Sequence, residues 1–188
     1  MREHANTGHD SAEHTPRERD AVDDIADQWQ RERPLINTLA MVLIGRHKRL
    51  HAHVEAALRE YFARYGLDVS EFDVLATLRR SGAPYELNAR ALLESAMVTS
   101  GAITNRVDKL SGKGLVERRP SPADRRAVLV RLTAEGKELV DRILPGHVEN
   151  EARLLAALTE DEQKQLNGLL RKLLIAQEGS TGTAAPGD

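Results

Sequence analysis

Thr99-Ser100-Gly101-Ala102-Ile103-Thr104-Asn105-Arg106-Val107-Asp108-Lys109-Leu110-Ser111 acquires two faces when it is wound as a helix. At 3.6 residues per turn, Ala102, Ile103, Val107 and Leu110 share an apolar side, with Val98 just ahead of them. Ser100, Thr104, Asn105, Asp108 and Lys109 share the other side. Hydroxyl, amide and ammonium groups on that side can bond base edges or phosphates. Upstream, Asn88 can cap a short helix from Ala89 to Glu94, and Ser95-Ala96-Met97-Val98 reads as a tight turn. Two short helices joined by a tight turn, the second with a hydrogen-bonding outer face, make a helix-turn-helix.

Downstream, Gly112 and Gly114 stop the helix, and Leu115-Val116-Glu117-Arg118-Arg119 is strand-like. Pro120-Ser121-Pro122-Ala123-Asp124 is turn chemistry. Val128, Val130 and Leu132 then alternate with Leu129 and Arg131, giving a second strand. Two strands joined by a loop that carries Arg125 and Arg126, directly after a recognition helix, form a wing. An arginine in such a loop can enter the minor groove. Asp124 is placed to orient one of them.

The flanks are helical. A short helix is expected from about Val22 to Arg31, and a long one from about Leu35 to Arg64 before Gly66. Ser70-Glu71-Phe72-Asp73 has the form of a capping box and opens a helix with Phe72, Leu75, Ala76 and Leu78 inward. Thr133 caps a helix from Ala134 to about Leu158, in which Pro145-Gly146 predicts a kink. Thr159-Glu160-Asp161-Glu162 is another capping box, and it leads into a stripe of Leu166, Leu169, Leu170, Leu173 and Leu174. The fold class is mostly α with a small β-wing. The long helices carry more apolar surface than one small lobe can bury, which predicts a homodimer interface. One domain is expected over 21–178, with dimerisation helices at 21–66 and 134–178 and a winged lobe at 70–132. Tails at 1–20 and 179–188 read as disordered.

Charge supports this reading once it is resolved along the chain. The formal net charge is −2. From Val98 to Arg131, however, eight basic residues face three acidic ones, for a local charge of +5. The stretches before Pro34 and after Leu132 carry −4 each. A basic centre between acidic ends is the electrostatic footprint of phosphate binding. The chain contains no cysteine, which excludes disulfides and thiol catalysis and fits a reducing cytoplasm. No apolar run is long enough to span a bilayer, and the first ten residues have no apolar signal core. No nucleophile–base pair, phosphate loop or metal set is evident, so no enzyme activity and no cofactor is expected. His47 and His51 have the spacing of a metal pair but no accompanying carboxylate cluster, and a solvated reading is preferred.

Together these residues resemble the MarR family of transcriptional regulators. The likeness is carried by Met97 to Leu110, by Lys113-Gly114-Leu115-Val116, and by Asp124-Arg125-Arg126 with Leu132-Thr133 five residues on. It implies a dimeric winged helix-turn-helix protein that reads palindromic double-stranded DNA with Ser100, Thr104, Asn105, Arg106 and Lys109, and with Arg125 and Arg126 on the wing. Further stretches are similar to the urate-responsive PecS and HucR subgroup: Trp29-(x)2-Glu32-Arg33-Pro34, Glu71 to Arg80, and Gly82-Ala83-Pro84-Tyr85. The subgroup likeness implies a ligand site at Trp29, Asp73 and Arg106 and release of DNA by a small anionic aromatic ligand such as urate. Trp offers a stacking face, Arg a charge-assisted bond, and Asp a repulsion that can shift a helix. By residue type alone, Trp29 equally fits an interface, Asp73 a cap and Arg106 a phosphate contact. A constitutive regulator without a urate-like ligand, one that answers another phenolic or carboxylate ligand, and a helical adaptor stand as the alternatives.

Overall fold

The computed structural model describes residues 19–96, 103–122 and 127–181. Its elements run α1 (Ala21–Glu32), α2 (Leu39–Ala63), α3 (Val69–Arg80), β1 (Glu86–Asn88), α4 (Ala89–Ser95), α5 (Ile103–Gly112), β2 (Val116–Pro120), β3 (Val128–Leu132), α6 (Ala134–Leu154) and α7 (Glu160–Thr181). The chain divides into two compact units, one ending at His53 and the other beginning at Val54.

In the first unit, Asp20 caps α1 and forms a capping box with Asp23. Arg46 on α2 bonds both carboxylates, at 2.8 Å and 2.7 Å, which fastens α1 to α2. Val22 is buried there, and a Cβ on Gly45 would come within 3.2 Å of its side chain, so glycine permits the close approach. Leu39, Met41, Leu43, Ile44 and Leu50 on α2 are all exposed.

The second unit is built on a core of Phe62, Leu75, Leu78, Leu92, Leu110 and Ile143, each almost wholly buried. Ile103, Val107 and Leu110 turn the expected face of α5 inward, while Thr104, Asn105, Asp108 and Lys109 are exposed. Val130 and Leu132 on β3 are buried, and Val128 is exposed at the strand's start. The sheet has antiparallel order β1-β3-β2. Strand β1 has no counterpart among the expected elements. It has only three residues and exists only by pairing with β3, which is distant in sequence, so it has no local signature.

Local expectations for α3 and α7 need correction. The cap of α3 is Asp68, not Ser70. Asp68 Oδ1 accepts the Glu71 N–H at 2.7 Å, and Glu71 Oε2 accepts the Asp68 N–H at 2.9 Å. Asp73 is therefore outside the cap. Helix α7 continues through Gly179 to Thr181, past the expected start of the tail. The other polar caps read for the second unit's helices are present, with Asn88 on α4, Thr133 on α6 and Thr159 on α7.

Helix α6 runs on through Pro145 and ends at Leu154, short of the expected Leu158. The Tyr61 hydroxyl donates to the Ile143 carbonyl at 2.9 Å, close to that proline. A Cβ on Gly146 would lie 2.5 Å from the same hydroxyl. Burial pushes the Tyr61 phenol up to about 12, so it stays a donor across the working pH range. At the start of α6, a Cβ on Gly136 would sit 2.0 Å from the Leu115 carbonyl oxygen. That contact presses α6 onto the segment between α5 and the wing.

Candidate nucleic-acid interface

Helices α4 and α5 form the helix-turn-helix. Arg80 at the end of α3 donates to the Ser95 carbonyl and so holds the end of α4. The exposed side of α5 presents Thr104, Asn105 and Lys109 in one strip, with Arg106 half-buried beside it. Ser100, Arg125 and Arg126 lie outside the described residues.

The wing is tied to α5 by charge. Arg118 on β2 bonds Asp108 on α5 at 2.5 Å. In the sheet register, Arg131 on β3 stands between Glu86 on β1 and Glu117 on β2. Opposite charges directly across strands stabilise the pairing modestly. Asp108, Glu117 and Arg131 thus act within the lobe, and part of the local charge excess serves the fold rather than a phosphate backbone.

At its C-terminus α5 ends in a Schellman motif. The Leu115 N–H reaches the Leu110 carbonyl and the Gly114 N–H the Ser111 carbonyl, with Gly114 at φ +73°. Lys113, the residue before that glycine, donates to both oxygens of Glu71, at 2.8 Å and 2.7 Å, and to the Gly66 carbonyl at 2.8 Å. Glu71 is 3% exposed. The sequence marks Lys113 as part of a motif and offers no partner for it, because Glu71 lies 42 residues away.

A cavity of about 720 Å³ opens among the end of α2, α3 and α6. Phe62, Phe72 and His147 give it aromatic walls, and Asp73, Arg79 and Asp141 line it as well. Phe62 and Phe72 stack at 4.2 Å, and His147 lies 5.1 Å and 5.2 Å from their centroids. His147 Nδ1 is buried with no hydrogen-bond partner among the described residues. Its Nε2 lies 3.5 Å from Glu151. Arg79 bonds Asp141 at 2.7 Å and holds that carboxyl below the usual carboxylate range, with Lys137 adding to the effect.

Of the three expected ligand residues, Asp73 lines this cavity. Arg106 is not among its lining residues, and its Nη1 is buried with no partner among the described residues. Trp29 belongs to the first unit, where it is 43% exposed. Sequence reasoning missed His147; its one local signal is Glu151, four residues on along the same helix. No described group of three metal-binding side chains converges, and no described helix is long and apolar enough to cross a membrane.

Two short helices, the second with a polar outer strip, followed by a two-stranded wing, define a winged helix-turn-helix DNA-binding protein. The MarR family model matches residues 65–127, which span α3 to the wing. The chain is 39% identical over 152 residues to the HTH-type transcriptional regulator PecS of Dickeya dadantii, covering 81% of this chain and 92% of PecS. It therefore belongs to the MarR family: it is a DNA-binding transcriptional regulator and not an enzyme. Among solved structures, a mutant MarR from E. coli in complex with operator DNA superposes with a TM-score of 0.65 at 29% identity, over 74% of this chain and 99% of that one. AbsC of Streptomyces coelicolor, also a MarR family regulator, shares the fold with a TM-score of 0.70 at 18% identity, over 77% of this chain and 97% of that one.

Proposed function

We propose that this chain is a homodimeric repressor of a divergent gene, released from a palindromic operator by a small anionic aromatic ligand of the urate kind. Each subunit places Ser100 and, from α5, Thr104, Asn105, Arg106 and Lys109 in a major groove, and sends Arg125 and Arg126 of the wing toward the flanking minor groove. Two half-sites about one helical turn apart match a two-fold dimer. The exposed leucines of α7 and the exposed apolar residues of α2 supply the dimer surface.

The observation that carries the ligand reading is the aromatic-walled cavity that holds Asp73 in the same unit as α5. Its volume is within the range of small-molecule pockets. The likeness to the PecS subgroup also implies Trp29 and Arg106 as ligand residues. A ligand there works by binding the two half-site spacings with different affinity. A gel-shift titration on the gene's own upstream DNA, with and without urate, tests the reading. The expected result is a shifted band that urate reverses in the parent protein and not in Asp73→Ala. A shift that urate, salicylate and related aromatic acids all leave intact leaves the constitutive regulator as the reading.

A further inference from the structure

Lys113 joins three chain segments that otherwise end separately. Helix α2 finishes in a Schellman motif of its own, with Gly66 at φ +68° and the Leu67 N–H on the Phe62 carbonyl. The carbonyl of that same glycine accepts from Lys113 Nζ at 2.8 Å. Helix α3 opens on the Asp68–Glu71 capping box, and the carboxylate that completes the box also takes the Lys113 ammonium through both oxygens. Helix α5 closes on Lys113 itself. One ammonium therefore links the end of α2, the start of α3 and the end of the DNA-reading helix. The carboxylate it meets is buried, so the pair is geometrically demanding: neither partner can move away without leaving an unpaired charge.

We propose that Lys113 and Glu71 are positioning residues for DNA reading. Their ion pair fixes the angle at which the Thr104–Asn105–Lys109 strip meets the major groove. The pair touches no base. It acts by holding the C-terminal end of α5 in register with α2 and α3, so that displacement of either helix is passed to the recognition surface. This inference rests on DNA binding alone and is independent of any ligand.

The test compares full-length protein carrying Glu71→Gln, Lys113→Met, Lys113→Arg and the double change Glu71→Gln/Lys113→Met. Fluorescence anisotropy is read on the upstream operator and on a scrambled duplex of equal length across a salt series, with thermal melts in parallel. Glu71→Gln removes a negative charge, so simple electrostatics predicts equal or tighter DNA binding. Positioning predicts the opposite: about tenfold weaker operator binding, with the scrambled duplex bound within about twofold of the parent. Lys113→Met should lose operator affinity in the same way, and Lys113→Arg should recover part of it. The double variant leaves no lone buried charge, so it should fold and still bind the operator weakly, with a loss smaller than the two single losses combined. Glu71→Gln binding the operator as tightly as the parent overturns the proposal. So does a folded double variant with parental operator affinity. A Lys113→Met variant that weakens both duplexes alike and lowers the salt slope by about one is a lost phosphate contact, and it overturns the proposal too.

Discussion

The winged lobe and the last helix expose opposite kinds of surface. In α5, Ile103, Val107 and Leu110 are at most 4% exposed, and the outward strip is polar. In α7, Leu169, Leu170, Leu173, Leu174 and Ile175 are 42% to 65% exposed. The lobe completes its hydrophobic core within one chain. Helix α7 also carries a row of apolar residues, and nothing among the described residues buries it. A helical apolar stripe can therefore mean two things: an inward face where the chain supplies the partner, as in α5, and, in the proposed dimer, an interface that a second copy covers.

The largest effect should come from breaking the unburied stripe. Leu169→Lys with Leu173→Lys removes two leucines from the proposed interface and puts two charges in their place. At about 1.5–3 kcal/mol per buried leucine, the dimer dissociation constant should rise at least a hundredfold. Sedimentation equilibrium would show monomers, while far-UV dichroism retains the helices of the lobe. A dimer that persists unchanged means that α7 is not the interface.

Next in size is Gly136→Ala, which attacks the completed lobe. The added methyl would meet the Leu115 carbonyl oxygen at 2.0 Å, a contact with backbone that cannot rotate away. A destabilisation of about 3 kcal/mol is expected from overpacking of this severity. Thermal melting reads it directly, and a melting point within about 2 °C of the parent would show that α6 is not pressed against the wing segment as described.

The smallest effect is electrostatic. Asp141 titrates below its ordinary value of 3.8 because Arg79, and then Lys137, bond it. A depressed folded-state value means the contribution is present above the ordinary value and is lost as pH falls through the lowered one. Asp141→Asn should therefore melt slightly below the parent near pH 7, with the difference closing as pH falls through the lowered value. A gap that persists at low pH would assign the loss to packing instead of charge.

Much of the lobe was legible because its signals are local. The inward face of α5, the two wing strands and the caps at Asn88, Thr133 and Thr159 each sit within a few residues of the element they define. Helix α3 shows where local reading fails. Asp68-x-x-Glu71 and Ser70-x-x-Asp73 both have the form of a box, and the structure uses the first. The longer glutamate reaches back to its cap, and both its oxygens accept from Lys113, a contact no local window contains. Strand β1 and the α3–α6 cavity were invisible for the same reason: both come from pairing between segments far apart in sequence. At the DNA face, the described part of α5 turns Thr104, Asn105 and Lys109 outward, and Arg106 is half-buried beside them with Nη1 enclosed.

The claim that the α5 strip reads DNA is tested most directly by anisotropy of the upstream duplex as a function of salt, for the parent and Asn105→Ala. The account predicts operator binding at least about a thousandfold tighter than to scrambled DNA, falling steeply with salt. It also predicts an operator-only loss of about 1–3 kcal/mol in Asn105→Ala. Equal affinity for both duplexes, or an Asn105→Ala variant indistinguishable from the parent, would contradict it.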